Sequence, residues 1–280
     1  MSDINNLNDD VKAINNNFRE VIIFLKNLEK SEYLSLDSDD LNNSEPKNFC
    51  VATYSPSESD NGVLYDEPVV TLEAVKKAKK FFDERNLKFT WPVLNPYVNY
   101  EHNREVLLQG GLVYDSDLTG MSLDVKDINI NEGYHNKISF RTVNTDDDAK
   151  LWAELACDFT ESEETVPEFF YNLSCAMMKN KNIQQVICTV NIDNEDKDVG
   201  TYLAFDDNLN NRGLYYMQVP PEFRRRKIAN DMMKSIAAAA KADGKNKLVF
   251  QSLPSALPFH KNLDLKRYLI YRSSRIKFLA

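Results

Sequence analysis

Four consecutive cations, Arg224–Lys227, stand between a strand-like and a helix-like segment, and no other feature of the sequence constrains the fold as much. Residues 213–219 before them have the aromatic and β-branched content of a strand. The apolar residues after them repeat at helical spacing: Ile228, Met232, Ile236 and Ala240. The pattern therefore predicts a strand, a turn and a helix, with the cations on the first helical turn. A helix N-terminus carries partial positive charge, so each cation there costs roughly 0.3–1 kcal/mol.

The unfavourable position of these cations predicts an anionic ligand, because a strand-to-helix turn binds phosphate groups through its backbone N–H groups. The alternative is a solvated run of surface charge. The chain has 34 Lys and Arg against 43 Asp and Glu, a net charge of −9, and 34 minus these four cations leaves 30. A single basic turn on an acidic chain favours a compact phosphate ligand, whereas a nucleic acid needs an extended basic face. We therefore expect no nucleic-acid partner.

The segment Val219–Ala229 resembles the acyl-CoA signature of the GNAT N-acetyltransferase superfamily, a strand ending in Val-x-Pro followed by Arg/Gln-x-x-Gly-x-Gly/Ala. Arg224 stands at the Arg/Gln position, Lys227 at the first glycine and Ala229 at the last position. The resemblance implies that this turn binds the CoA pyrophosphate through Arg224, Arg225, Arg226, Lys227, Ile228 and Ala229. Lys227 departs from the signature, and its side chain either crowds the phosphates or reaches over them as an extra cation.

The segments around the signature follow the order of the same superfamily. Pro258–Leu265 is similar to its Leu-Tyr-x-x-Leu-Gly-Phe segment, with His260 in place of the tyrosine. Strands are predicted at 137–143, 185–190, 200–205, 246–252 and 268–273. One helix is predicted to begin at Asp146–Asp148 with Leu151, Leu155 and Phe159 on its apolar face, and another lies around 166–178. The resemblance implies an α/β fold with a mixed sheet, the acyl-CoA N-acyltransferase fold, and a catalytic domain at 137–280.

The N-terminal residues 1–130 resemble a degenerate half of the same fold, as in a bacterial subgroup of tandem GNAT proteins. Helices are predicted at Asp9–Lys30, at Thr71–Asn86 with Thr71 as cap, and at Glu101–Gln109 before a glycine. Strands are predicted at 47–53, 88–93 and 121–125. The sequence of this half contains no equivalent of the phosphate-binding signature, so two GNAT-like halves with one CoA site are expected.

The resemblance also implies the catalytic side chains. The superfamily's tyrosine protonates the leaving thiolate, and His260 stands in its place; an imidazole with a pKa of about 6.5 serves as acid or base near neutrality. Alternatively, His260 packs or hydrogen bonds at a helix end. Tyr216, beside Tyr215, is a second catalytic candidate on the strand that faces the acyl group, and the alternative is that both rings are ordinary core aromatics.

The resemblance, carried over along the strand register, implies further contacts. Met217 and Val219 offer backbone groups to the pantetheine arm, and Ser252 lies where the thioester end passes. The candidate bases are carboxylates near this strand: Glu222, Asp206 and Asp207.

Several signals concern the compartment and metals. The N-terminus lacks a basic and an apolar signal region, and no apolar run approaches the roughly 18 residues of a membrane span. The four cysteines, Cys50, Cys157, Cys175 and Cys188, are scattered without metal-ligand spacing. We therefore expect a cytoplasmic protein with reduced, buried cysteines, no metal and no membrane partner.

The resemblance thus implies an N-acetyltransferase that uses acetyl-CoA as donor and a small-molecule or protein amine as acceptor. An acidic chain favours a cationic amine. The alternative is a catalytically impaired GNAT-like protein that binds CoA or another protein, with Lys227 and His260 as its support. A transferase that uses aminoacyl-tRNA is disfavoured by the acidic balance. Acceptor, oligomeric state and general base are left open.

Overall fold

The computed structural model describes residues 9–37, 46–55, 60–94, 99–127, 133–157, 167–252, 256 and 271–277. Over these residues the chain forms both helices and strands. The helices are α1 (Asp9–Lys26), α2 (Leu72–Asp83), α3 (Tyr100–Gln109), α4 (Asp146–Cys157), α5 (Pro167–Met177) and α6 (Ile228–Ala242). The strands are β1 (Glu32–Ser35), β2 (Phe49–Ala52), β3 (Gly62–Leu64), β4 (Thr90–Leu94), β5 (Val113–Asp124), β6 (Ile138–Thr142), β7 (Ile183–Ile192), β8 (Glu195–Asp206), β9 (Arg212–Gln218), β10 (Lys247–Ser252) and β11 (Tyr271–Lys277). No helix among the described residues is long and apolar enough to span a bilayer.

The chain divides into two compact units. Unit 1 comprises residues 1–120, 252–255 and 270–280, and unit 2 comprises 121–251 and 256–269. The strand order is β1–β2–β3–β4–β11–β5 in unit 1 and β5–β10–β9–β8–β7–β6 in unit 2, with β5 contributing residues to both. The pairs β3–β4 and β9–β10 are parallel, and each parallel pair is linked by one helix, α2 or α6. The domain limits 1–130 and 137–280 remain a proposal.

The core of unit 1 packs α2 and α3 against the sheet. Phe82 of α2 stacks on Phe89 with ring centroids 4.2 Å apart, and both side chains are fully buried. The predicted cap is present, because the Thr71 hydroxyl accepts a hydrogen bond from the N–H of Ala74. The structure begins α2 one residue later and ends it three residues earlier than the predicted helix.

The core of unit 2 packs α6 against one face of the sheet. The predicted stripe Ile228, Met232, Ile236 and Ala240 is buried there. The backbone of β8 comes close to β9 and α6 at Gly200. A Cβ added there would meet the backbone oxygen of Gln218 at 2.6 Å and the sulfur of Met232 at 3.2 Å. Glycine at this position therefore allows β8, β9 and α6 to come together.

Several predicted elements were wrong in detail. The helix α4 buries Ala149, Trp152, Ala153 and Ala156, whereas the predicted face residues Leu151 and Leu155 are only partly buried and Phe159 lies outside the described residues. Its first turn is capped by Thr145, whose hydroxyl accepts from the N–H of Asp148. The structure places the final strand at Tyr271–Lys277, where it pairs with β4 and β5. Pairing over such a sequence separation is set by tertiary contacts that local patterns do not contain.

Candidate functional site

A β-bulge interrupts β9 near its C-terminal end, upstream of the basic turn. Leu203 of β8 pairs with Tyr215 of β9, and Thr201 pairs with Gln218, so two steps on β8 face three steps on β9. The extra residue is accommodated by Tyr216, whose φ of 47° lies in the left-handed region. A bulky residue at positive φ is strained, and such strain occurs where a strand must be redirected for function.

The parallel pairing between β9 and β10 ends beside this bulge. It covers Arg212–Leu214 of β9 and Leu248–Phe250 of β10. Beyond it β9 continues to Gln218 and β10 continues to Ser252. The pairing between the two strands thus stops next to the bulge, and the part of β9 beyond this pairing leads to the basic turn.

The basic turn lies between the end of β9 and the start of α6. A short 3₁₀ turn at Pro221–Phe223 follows the strand, and Lys227 is the N-cap of α6. The predicted position of the cations was therefore wrong by one turn: they precede the helix instead of forming its first turn. Lys227 has φ of 60° and Arg225 has φ of 64°, so two non-glycine residues of the turn are left-handed. Each such residue costs roughly 1–2 kcal/mol, which explains the superfamily's glycine at the Lys227 position.

The start of α6 presents its backbone N–H groups without a side-chain cap. The first residue whose N–H bonds within the helix is Asp231, which donates to the carbonyl of Lys227 at 3.2 Å. Among the described residues, the N–H groups of 225–230 have no hydrogen-bond acceptor. Unpaired N–H groups at a helix N-terminus are the donors that bind phosphate.

All four cations of the turn are exposed. The Nε of Arg224 donates to the carbonyl of Val219 at 2.9 Å and fixes that side chain against the strand end. Within the described chain, the side chains of Arg225, Arg226 and Lys227 make no ion pair. This arrangement leaves their charges directed at solvent around the helix start.

A buried carboxylate ties the turn to the segment before β6. Asp231 is fully buried, and its two oxygens accept from the backbone N–H groups of His135 and Asn136, each at 2.9 Å. The Asn136 amide also donates to Asp231 at 2.8 Å and to the carbonyl of Arg226 at 3.0 Å. Asn136 and Asp231 therefore hold the backbone of the turn in its left-handed conformation. Neither residue was predicted from the sequence, where the one signal is an aspartate, Asp231, beside an apolar helical stripe.

The ring of Tyr216 is held by two helices. It lies edge-on to Trp152 of α4 and to Phe170 of α5, with centroid distances of 5.9 Å in both pairs. Both partners are fully buried. This packing is what the core-aromatic alternative predicts, and it also fixes the ring beside the bulge. Burial raises the pKa of the neighbouring Tyr215 phenol, with the charge of Asp207 acting in the same direction, so Tyr215 stays protonated at neutral pH.

The predicted bases Asp206 and Asp207 serve the structure at the opposite end of β9. Asp206 pairs with Arg212 at 2.7 Å and with Lys245 at 2.9 Å. Burial raises the pKa of Asp206, but the bonds from these two cations outweigh it and hold the pKa below its ordinary value. Asp207 accepts from the N–H groups of Leu209 and Asn211 in a tight turn. At about 3.3 Å per residue, Arg212 lies some 20 Å along β9 from Gln218.

The other predicted site residues lie in different surroundings. Met217 and Val219 are partly buried against the α6 core, Ser252 is buried at the last position of β10, and Glu222 is exposed in the 3₁₀ turn. His260 lies outside the described residues.

Burial, with the charges of Asp231 and Asp198, raises the pKa of the Cys188 thiol to about 12, so Cys188 is not a thiolate nucleophile at neutral pH. No cluster of metal-ligating side chains occurs in the part of the chain that the structure describes.

Known structures share this architecture. A GCN5-related N-acetyltransferase from Kribbella flavida is 11% identical, with 84% of this chain and 87% of that chain covered and a TM-score of 0.59. A tandem GNAT protein from the clavulanic acid biosynthesis pathway is 9% identical, with 95% and 92% covered and a TM-score of 0.63. The chain has the GNAT fold.

A GCN5-related N-acetyltransferase from Sphaerobacter thermophilus aligns over 74% of this chain and 67% of its own, at 12% identity and a TM-score of 0.56. No protein-family model matches the sequence, and no curated protein matches it. The predicted resemblance and fold class are confirmed. At these identities the likeness shows the fold, and in the GNAT fold of this chain the basic turn lies between a bulged strand and the helix that follows it.

Proposed function

We propose that this chain is an N-acetyltransferase that transfers the acetyl group of acetyl-CoA to a primary amine. The observation that carries the proposal is the turn Arg224–Ala229. It combines exposed cations, left-handed backbone at Arg225 and Lys227, and an uncapped helix start, on a GNAT fold. These are the donors and charges that a pyrophosphate requires.

The resemblance supplies the other proposed contacts. Met217, Val219 and Ser252 are proposed to contact the pantetheine arm, and the divergence of β9 from β10 supports a path for that arm beside the bulge. His260 is the proposed acid for the leaving thiolate, and Tyr216 is the second proposed catalytic side chain. In the reaction the amine nitrogen forms a bond to the acyl carbon and loses a proton, while the carbon–sulfur bond breaks and the sulfur gains a proton.

The acceptor is proposed to be a cationic amine, because the net charge of −9 favours such a molecule electrostatically. Metal ions and nucleic acid have no part in the proposal. The described cysteines are free thiols, which supports a reducing compartment such as the cytoplasm.

A second candidate is a GNAT-like protein that binds CoA without catalysis. The engagement of Asp206 and Asp207 in structural bonds far along β9 favours it, because two of the three predicted bases are thereby removed. Both candidates predict CoA binding, and only the first predicts turnover.

The experiment that tests the proposal is a calorimetric titration of the full chain with acetyl-CoA, followed by a thiol-release assay over a panel of polyamines, aminoglycosides and lysine-rich peptides. Binding and amine-dependent release of CoA support the enzyme. Binding without release on any amine favours the second candidate, and absence of heat with both CoA and acetyl-CoA overturns both.

A further inference from the structure

Gln218 is a buried amide at the end of β9. Its side chain is 5% exposed, yet its Nε2 has no hydrogen-bond partner. Buried side-chain amides are nearly always paired, and an unpaired one calls for an explanation such as a ligand. Directly after the bulge, the backbone of Gln218 pairs again with Thr201 of β8. The unusual group is therefore the side chain alone.

The face on which Gln218 lies follows from its neighbours. Met217 and Val219 pack against the core of α6. Since side chains alternate along a strand, Gln218 between them lies on the opposite face, where Tyr216 meets Trp152 and Phe170. Gln218 thus stands between the bulge and the basic turn, one residue before the carbonyl that accepts from Arg224.

We propose that the Gln218 amide donates a hydrogen bond to a carbonyl oxygen of the acyl-pantetheine arm. The inference rests on the proposed function. An amide nitrogen is a donor, so its partner must be an acceptor, and the arm carries amide carbonyls and a thioester carbonyl. An arm that leaves a pyrophosphate on the turn and ends at the bulge passes Gln218, whereas the acceptor amine has to approach only the thioester end.

The test compares Gln218→Met with wild type in calorimetric titrations of CoA, acetyl-CoA and adenosine 3′,5′-bisphosphate, which lacks the arm. Losing one hydrogen bond lowers affinity about threefold to tenfold. We expect this loss with acetyl-CoA and no change with the bisphosphate. A loss shared by CoA identifies an amide carbonyl, and a loss confined to acetyl-CoA identifies the thioester carbonyl; both support the proposal. Gln218→Glu, which keeps the shape and replaces the donor with an acceptor, is expected to lose more.

Thermal unfolding separates a binding role from a structural one. If Gln218 serves the ligand, removing its unpaired donor does not lower the midpoint of the free protein. The matched control is Gln185→Met, because the Gln185 amide is also buried but donates to the carbonyl of Ser174 at 2.9 Å. The control is expected to lower the midpoint and keep CoA affinity.

Two results overturn the inference while the proposed function stands: unchanged acetyl-CoA affinity in Gln218→Met, whether or not the midpoint falls, or equal losses for acetyl-CoA and the bisphosphate. Failure of the wild type to bind CoA overturns the proposed function, and the inference with it.

Discussion

The strand–helix–strand segments β3–α2–β4 and β9–α6–β10 share one construction, a parallel strand pair linked by a helix, and differ at the turn that opens the helix. In the first, Thr71 caps α2, and the N–H of Val70 donates to the Asn103 side chain at 2.8 Å. The turn carries Asp66 and Glu67, and Asp66 pairs with Arg19. These polar groups of the first turn are therefore bonded within the protein.

The second turn has the opposite character. It carries the four cations of Arg224–Lys227, two left-handed residues and no side-chain cap. Its backbone is bonded by Asn136, from the segment before β6, which also donates to Asp231 of α6. Under the proposed function, the strand–helix–strand frame alone does not make an anion site; the site requires helix N–H groups and cations that are not bonded within the protein.

The largest expected effect concerns catalysis in the half with the basic turn. His260→Phe is expected to reduce turnover by about 10²–10⁴-fold, the contribution of a positioned acid, and His260→Tyr to retain activity. Since the proposed acid is the imidazolium, wild-type turnover at saturating substrate is expected to fall as pH rises through the His260 pKa, while deprotonation of the amine acts in the opposite direction. Steady-state kinetics over pH 5–9 measures this. Turnover of His260→Phe at the wild-type rate would make the histidine structural.

The next effect tests the charge difference between the turns. Replacing Arg224 and Arg226 with Glu is expected to weaken CoA binding by about 100-fold or more, because charge-assisted bonds are replaced by repulsion. The CoA-induced rise in melting temperature should disappear while the fold remains. The matched control reverses Lys77 and Lys80 on α2, which are exposed and outside the turn. Equal losses of CoA affinity in both double variants would show that the net charge of the protein, and not the position of the two arginines, causes the effect.

A smaller effect, on stability, is expected at the end of β9 that lies away from the basic turn. Asp206→Asn is expected to lower the free energy of unfolding by about 2–3 kcal/mol at pH 7, because the buried Arg212 loses one of its two carboxylate partners and keeps only Asp243, at 2.8 Å. The folded pKa of Asp206 is lowered, so its contribution is present above pH about 4 and is lost as pH falls through the folded pKa. Denaturant unfolding at pH 7 and pH 3 should show the difference shrinking. A loss of turnover without a loss of stability would restore Asp206 as a base.

The smallest effects compare the two N-caps directly. Lys227→Gly is expected to stabilise the protein by about 1 kcal/mol, because glycine adopts positive φ without strain, and to weaken CoA severalfold through loss of a cation. Thr71→Ala is expected to destabilise by about 1 kcal/mol and to leave CoA affinity unchanged. Thermal unfolding and titration measure both. Tighter CoA binding by Lys227→Gly would instead show that the side chain crowds the phosphates.

Much of the fold and part of the site could be predicted from local patterns in the sequence. The helical stripe of α6, the Thr71 cap and the strand β9 are local signals, and the structure contains them. The partners of β11, the buried face of α4 around Trp152 and the clamp by Asn136 depend on contacts distant in sequence. The left-handed backbone at Lys227 was indicated only by the superfamily's glycine, since lysine itself gives no such signal.

The most direct test of the difference between the turns is a crystal structure of the full chain with acetyl-CoA. We expect the pyrophosphate oxygens to accept hydrogen bonds from backbone N–H groups of residues 225–229, with Arg224 or Arg226 in contact, and the Thr71 turn to bind no phosphate. Acetyl-CoA bound elsewhere, with the turn Arg224–Ala229 facing only solvent, would contradict it.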